Sequence, residues 1–213
     1  MTEERFHVWN IGYFDTRLSD ANDYTFVASL VGHLVETYSV DERRVYLVGH
    51  SMGAMLTHEM AARYPELFAA IAPVAGTVGG YPCKSPDQCD AYTPPEPSRP
   101  VPVITVHGTA DRHVLYGGGR PEKSLRRQPR YDFSVQQTLD WWERHNDCTD
   151  SGAETGERLS ERITRVRSPC DGTGGVEHLR FDGVGHFWGE FDRAVANGNV
   201  LGERLAALLW KNL

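Results

Sequence analysis

Gly49-His50-Ser51-Met52-Gly53 follows directly on the apolar, β-branched run Val45–Val48 and leads into a helix-like pattern. G-x-S-x-G between a strand and a helix describes a nucleophile elbow, a tight turn that exposes a serine hydroxyl for attack on a carbonyl. The flanking glycines follow from that geometry, because a nucleophile on a strained turn leaves room for little beyond hydrogen at its neighbours. A serine hydroxyl is a weak nucleophile at neutral pH. It needs a base to take its proton and an acid to orient the base.

Both partners stand downstream. Val101–His107 reads as a buried strand and runs into Gly108-Thr-Ala-Asp111. That puts Asp111 on a loop at the carboxyl edge of a sheet, where α/β sheets gather their ligands. Glu177–Phe181 alternates like a strand and leads into Gly183-Val-Gly-His186-Phe-Trp-Gly189, a glycine-flanked loop on which an imidazole can swing between Asp and Ser. The order Ser, Asp, His is that of the α/β hydrolases. Ser51 is therefore the expected nucleophile, Asp111 the acid and His186 the base. Met52, next after the nucleophile, is expected to offer its backbone N–H to an oxyanion. His50 and Trp188 are the expected substrate contacts, Trp188 as an aromatic surface for an acyl or aryl group, although His50 cannot face the same way as Ser51. His7, His33, His58, His113, His145 and His178 read as surface or structural, and His107 as the end of a strand.

Those residues need a scaffold of alternating strands and helices. Strand-like runs lie near Phe6–Ile11, Val45–Val48, Ala70–Val74, Val103–His107 and Leu179–Phe181. A first helix places Val27, Leu30, Val31, Leu34, Val35 and Tyr38 on one face with period 3.6. A second follows the elbow through Met55, Met60 and Ala61. A third opens at Ser134 with Gln137 three residues on, a capping box. A last one aligns Leu201, Leu205, Leu208 and Leu209. The pattern predicts an α/β fold, a mainly parallel sheet flanked by helices. Tyr81–Pro102 and Tyr116–Arg130 read as solvated connections close to the site.

With these motifs the chain resembles the polyhydroxybutyrate-depolymerase-like esterases of the α/β-hydrolase fold, which include feruloyl and acetylxylan esterases. The matching stretches are Trp9-Asn10, Asp23 before a helix, Asp41–Tyr46, Gly49–Gly53, Ala69–Gly76, His107–Asp111 and Gly183–Trp188. The resemblance implies a serine esterase that acts on small or polymeric carboxylic esters, with Ser51, Asp111 and His186 as its triad and no metal or organic cofactor. It also implies a Cys148–Cys170 bridge and a secreted or periplasmic location. Ala54 and Gly189 replace a glycine and a proline that are usual in the group. Members of the group carry a longer N-terminal half whose His-Gly loop supplies a second oxyanion donor, and no such loop precedes Met52 here. The expectation is an N-terminally truncated α/β-hydrolase domain whose Val45–Val48 edge is open to pairing, for example in a homodimer. The alternatives are an inactive remnant that binds a partner through that edge, and a serine peptidase, which would use the same triad.

Length and composition agree with one globular domain over residues 1–213. The 22 basic and 29 acidic residues give a net charge of −7, which disfavours nucleic acid or an anionic membrane as partner. No apolar run reaches the length of a membrane span, and Met1–Arg5 shows no signal-peptide pattern. Four cysteines allow three pairings. Cys83 and Cys89 flank a short polar loop suited to a second bridge, and an even count suggests an oxidising compartment. Neither C-x-x-C nor H-x-x-x-H is present, so no zinc site is expected.

Overall fold

The computed structural model describes residues 8–12, 21–123, 129–149, 156–170 and 174–197. Eight strands follow in chain order: β1 (Tyr46–His50), β2 (Ala70–Val74), β3 (Gly80–Tyr81), β4 (Val103–Gly108), β5 (Tyr131–Asp132), β6 (Glu157–Arg158), β7 (Ile163–Ser168) and β8 (Val176–Phe181). Four helices accompany them: α1 (Asp23–Tyr38), α2 (Met52–Arg63), α3 (Val135–His145) and α4 (Trp188–Asn197). The main sheet has the order β1-β2-β4-β8-β7-β6. Its first four strands are parallel and its last three antiparallel. Strands β2 and β4 are buried along their whole length, as continuous apolar runs in a helix-covered parallel sheet should be.

The two arginine-rich strands β6 and β7 lie outside the sequence expectation. Alternating arginines at Arg165 and Arg167 mask the strand pattern, and the sheet satisfies them by pairing with Glu157 and Glu177 on the neighbouring strands. The expected strand near Phe6–Ile11 is not formed over Val8–Ile11, while Phe6 itself lies outside the described residues. The leucine-rich segment from Leu201 to Leu209 also lies outside them. In place of uninterrupted connections after β2 and β4, the short ribbon β3–β5 ties the two loops together.

Helix α2 fills the core beside the sheet, with Ala54 through Ala62 all buried. Helix α3 starts at the capping box of Ser134 and Gln137 and locks onto α2 through Trp142 Nε1–H, which donates to His58 Nδ1 at 2.9 Å. Helix α4 buries Phe191, Ala194 and Val195 against Leu179 and Phe181 in a second cluster. Helix α1 forms over the expected apolar face and begins at Asp23 itself, but none of its residues is fully buried, and Phe26, Leu30, Leu34 and Tyr38 stay exposed. It lies beside β1, an edge strand that pairs only with β2 among the described strands and leaves Val48 44% exposed.

Both cysteine pairs are bridged, Cys83 to Cys89 and Cys148 to Cys170. No helix among the described residues is long and apolar enough to cross a membrane.

Candidate active site

The parallel strands deliver three loops to one edge. Ser51 follows β1 with φ 56° and ψ −119°, a left-handed conformation that costs a β-substituted residue of order 1–3 kcal/mol. Its N–H is held by the Val74 carbonyl at 2.9 Å, and its own carbonyl starts α2 by accepting from Ala54 and Met55. The two flanking glycines differ. A Cβ on Gly49 would lie 2.1 Å from the Gly53 carbonyl oxygen and 2.4 Å from Thr57 Oγ1, so β1 and α2 can meet only at glycine. Gly53 is not crowded in this way. Among the described residues outside its own helix and its chain neighbours, the one atom within 4 Å of where its side chain would begin is Trp9 Nε1, at 3.8 Å.

Ser51, His186 and Asp111 form one hydrogen-bonded chain. Ser51 Oγ lies 2.8 Å from His186 Nε2, and His186 Nδ1 lies 2.7 Å from Asp111 Oδ2. The tautomer consistent with both contacts has Nδ1–H donating to the carboxylate and Nε2 accepting from the serine. Asp111 and His186 are buried, 3% and 6% exposed. Asp111 Oδ1 accepts from the backbone N–H groups of His113 and Val114, which fixes the acid loop. Burial pushes the Asp111 carboxyl up, but hydrogen bonds from His107 and His186 outweigh it and hold the group well below the usual carboxylate range. His107 reaches this position from the end of β4, where its Nε2–H donates to the Val114 carbonyl at 2.8 Å and stands 3.4 Å from Asp111 Oδ2.

Two further histidines press on His186. His50 Nε2 lies 2.6 Å from the His186 carbonyl oxygen, to which it donates, and its ring is 4.9 Å from that of His186. Desolvation lowers the His50 pKa, with partial compensation from the His186 carbonyl, so the ring is neutral near pH 7. His113 stacks on His186 at 4.7 Å with rings 28° apart. The exposed Phe187 closes the group, 5.4 Å from His113 and 5.8 Å from His186. Trp188, half-buried at the start of α4, meets His50 edge-on at 6.2 Å and packs against the core. His113 and Phe187 were not legible as site residues. Their only sequence signal is adjacency, two residues beyond the acid and one beyond the base.

Asp111, His113 and His186 gather ligand atoms within 4.8 Å of one another, close enough to raise the question of a metal. The arrangement does not fit one. Asp111 Oδ2 and His186 Nδ1 already bond each other at 2.7 Å. The near-parallel stack of the imidazoles keeps their in-plane lone pairs from converging on one point. The other positive feature is the start of α2. The N–H groups of Met52 and Gly53 find no acceptor among the described residues and stand at the positive end of the helix, beside Ser51.

Comparison with known proteins places the chain in a family. Residues 2–117 match the family model described as Esterase PHB depolymerase. The chain is 26% identical over 187 residues to feruloyl esterase B of Piromyces equi, covering 85% of this chain and 31% of that protein. It is 42% identical over 176 residues to an acetylxylan esterase of Coprinopsis cinerea, covering 78% of this chain and 45% of that protein. The chain thus spans less than half the length of either relative. Among solved structures, the acetyl xylan esterase from Aspergillus awamori superposes with a TM-score of 0.51 at 22% identity, over 77% of this chain and 62% of that one, a likeness of fold.

Proposed function

Because the chain belongs to the Esterase PHB depolymerase family, we propose that it is a serine esterase whose nucleophile is Ser51, whose base is His186 and whose acid is Asp111. The observation that carries this reading is the continuous hydrogen-bonded chain Ser51–His186–Asp111, which ends on a strained elbow at the carboxyl edge of the sheet. His186 Nε2 takes the Ser51 proton as Oγ bonds to the ester carbonyl carbon. The carbonyl π pair moves onto oxygen and is met by the Met52 N–H. Collapse of that intermediate breaks the bond to the alcohol oxygen, which leaves with the proton carried by His186. Water then repeats the two steps on the acyl-enzyme and frees the acid and Ser51. Asp111 holds the imidazole tautomer and stabilises the imidazolium throughout.

The acyl group we propose is acetyl, carried on a saccharide alcohol. Support comes from the relative with 42% identity, whose name is acetylxylan esterase. Residues 1–213 are read as one α/β-hydrolase domain, and the two bridged cysteine pairs favour an oxidising compartment. The test is hydrolysis of p-nitrophenyl acetate and acetylated xylan by the chain and by Ser51→Ala. Activity lost in the variant supports the reading; equal rates for both proteins would remove Ser51 as nucleophile. Release of ferulate from methyl ferulate in preference to acetate from acetylated xylan would overturn the acetyl assignment alone.

A further inference from the structure

A single backbone donor is a weak oxyanion site, and the described residues offer Met52 with Gly53 behind it. We propose that the indole N–H of Trp9 is the second oxyanion donor, which makes Trp9 a catalytic residue; the inference rests on the Ser51 triad proposed above. The contact at Gly53 carries it. Of the whole Trp9 ring, the nitrogen alone comes within 4 Å of the point where a Gly53 side chain would begin. The indole therefore turns its N–H edge, not a carbon edge, toward the first turn of α2. That turn already presents the unpaired N–H groups of Met52 and Gly53 beside the nucleophile.

Two further properties suit the role. The indole nitrogen finds no acceptor among the described residues, and Trp9 is 39% exposed, so its donor is left to a partner from outside the protein. An indole N–H that no protein group accepts is open to an incoming acceptor. Here the partner is supplied when a carbonyl oxygen becomes an oxyanion. The donor is also held in advance. Ile11, two residues on, is 1% exposed in the core. Asn10 N–H donates to Asp23 at 2.5 Å, and Gly12 N–H donates to the Tyr24 hydroxyl at 2.7 Å. Oxyanion donors act through such preorganisation, since no reorganisation is then required as charge develops. An indole is uncharged and donates only, so it stabilises the oxygen without competing as a base or nucleophile. As Ser51 Oγ bonds to the carbonyl carbon, the displaced electron pair settles on an oxygen that accepts from Met52 N and Trp9 Nε1.

The test replaces Trp9 by phenylalanine and, separately, by 3-benzothienylalanine, which keeps the bicyclic shape and exchanges N–H for sulfur. Loss of one oxyanion donor is expected to lower kcat on p-nitrophenyl acetate by roughly 10²–10³-fold, with KM within about threefold. Affinity for an aryl trifluoromethyl ketone, which binds Ser51 as a charged hemiketal, should fall by a comparable factor. A kcat for the benzothienyl variant within threefold of the parent overturns the proposal, as does a change confined to KM, which would mark Trp9 as a wall of the acyl site. Ser51→Ala separates the two readings. Activity surviving in that variant removes the triad, whereas activity lost there but kept in both Trp9 variants removes Trp9 alone. If the folded chain forms the ketone adduct at Ser51, seen by fluorine NMR, yet does not turn over, the triad stands and Trp9 is not a working donor.

Discussion

Acidification from pH 7 to pH 5 should weaken this fold far more than its surface charge would suggest. His58 and His178 are both fully buried, and desolvation lowers each pKa from 6.5 to about 3. The contacts explain why the neutral form is held. His58 Nδ1 accepts from Trp142 Nε1–H, so a proton added there breaks the bond. His178 bridges the Thr105 and Tyr116 hydroxyls at 2.8 and 2.9 Å, a site that a neutral imidazole satisfies with one donor and one acceptor. Below pH 6.5 the unfolded chain gains protons that the folded chain refuses until about pH 3, so stability falls with pH across that window. Integrated between pH 7 and pH 5, this is about 2 kcal/mol for each histidine and roughly 4 kcal/mol together. Glu59 acts in the opposite sense, because burial raises its pKa and the folded state binds its proton first. Asp111, held low, contributes only below the window. A loss of that size is a large share of the 5–15 kcal/mol typical of a domain. Urea unfolding followed by tryptophan fluorescence at the two pH values measures it. His178→Gln should cut the pH-dependent loss to about half, whatever it does to stability at pH 7. Stabilities within 1 kcal/mol of each other at pH 7 and pH 5 would refute the reasoning.

The two elbow glycines should respond oppositely to alanine. Gly53→Ala meets nothing closer than 3.8 Å outside its helix and should gain roughly 0.5–1 kcal/mol of stability. It should nevertheless lose esterase activity, because the methyl stands 3.8 Å from Trp9 Nε1, beside the proposed donor; a fully active variant would count against that role. Gly49→Ala drives a methyl into the Gly53 carbonyl and should lower the melting temperature steeply. His50→Leu removes the grip on the His186 carbonyl and should reduce kcat about tenfold with KM unmoved. His50→Gln, which keeps a donor at a similar reach, should restore most of it, whereas a substrate-contacting His50 would show its loss in KM. Cys148→Ser opens a bridge across a sequence separation of 22 and should cost about 3 kcal/mol in urea unfolding.

What the sequence made legible is the set of residues placed just after apolar strands: Ser51, Asp111 and His186 each stand beyond such a strand, and glycine or polar residues mark where the strand ends. Helix α3 was legible from its capping box, and α1 from its period. What stayed hidden depends on pairing and packing across long separations. Strand β7 hides behind alternating arginines, whose acidic partners Glu157 and Glu177 come beside them only once the strands pair. The stack of His113 on His186 is set by the turn at Asp111 Oδ1, which no local pattern announces. The flanking glycines of the elbow looked equivalent in sequence, yet Gly49 answers to backbone crowding and Gly53, among the described residues, to the Trp9 indole.

The glycine of His107-Gly108-Thr-Ala-Asp111 belongs to the base as much as to the acid. The strand that leads to Ser51 and the strand that leads to His186 are three places apart in the order β1-β2-β4-β8, about 14 Å at ordinary strand spacing. Five residues from Phe181 to His186 span at most about 17 Å, so the loop crosses with little slack. It does so in steps. Gly183 N–H donates to Thr109 Oγ1 at 2.9 Å, and the Val184 carbonyl accepts from Ala110 N–H at 3.0 Å, laying the loop over the end of β4. A Cβ on Gly108 would stand 2.2 Å from the Val184 oxygen and 2.7 Å from that of Gly185, which would lift the loop off β4. The far end is then gripped by His50, from the strand that carries the nucleophile. Reach, a bare backbone at Gly108 and one side-chain hydrogen bond thus set the 2.8 Å between Ser51 and His186, and each of the three is a residue beside the triad.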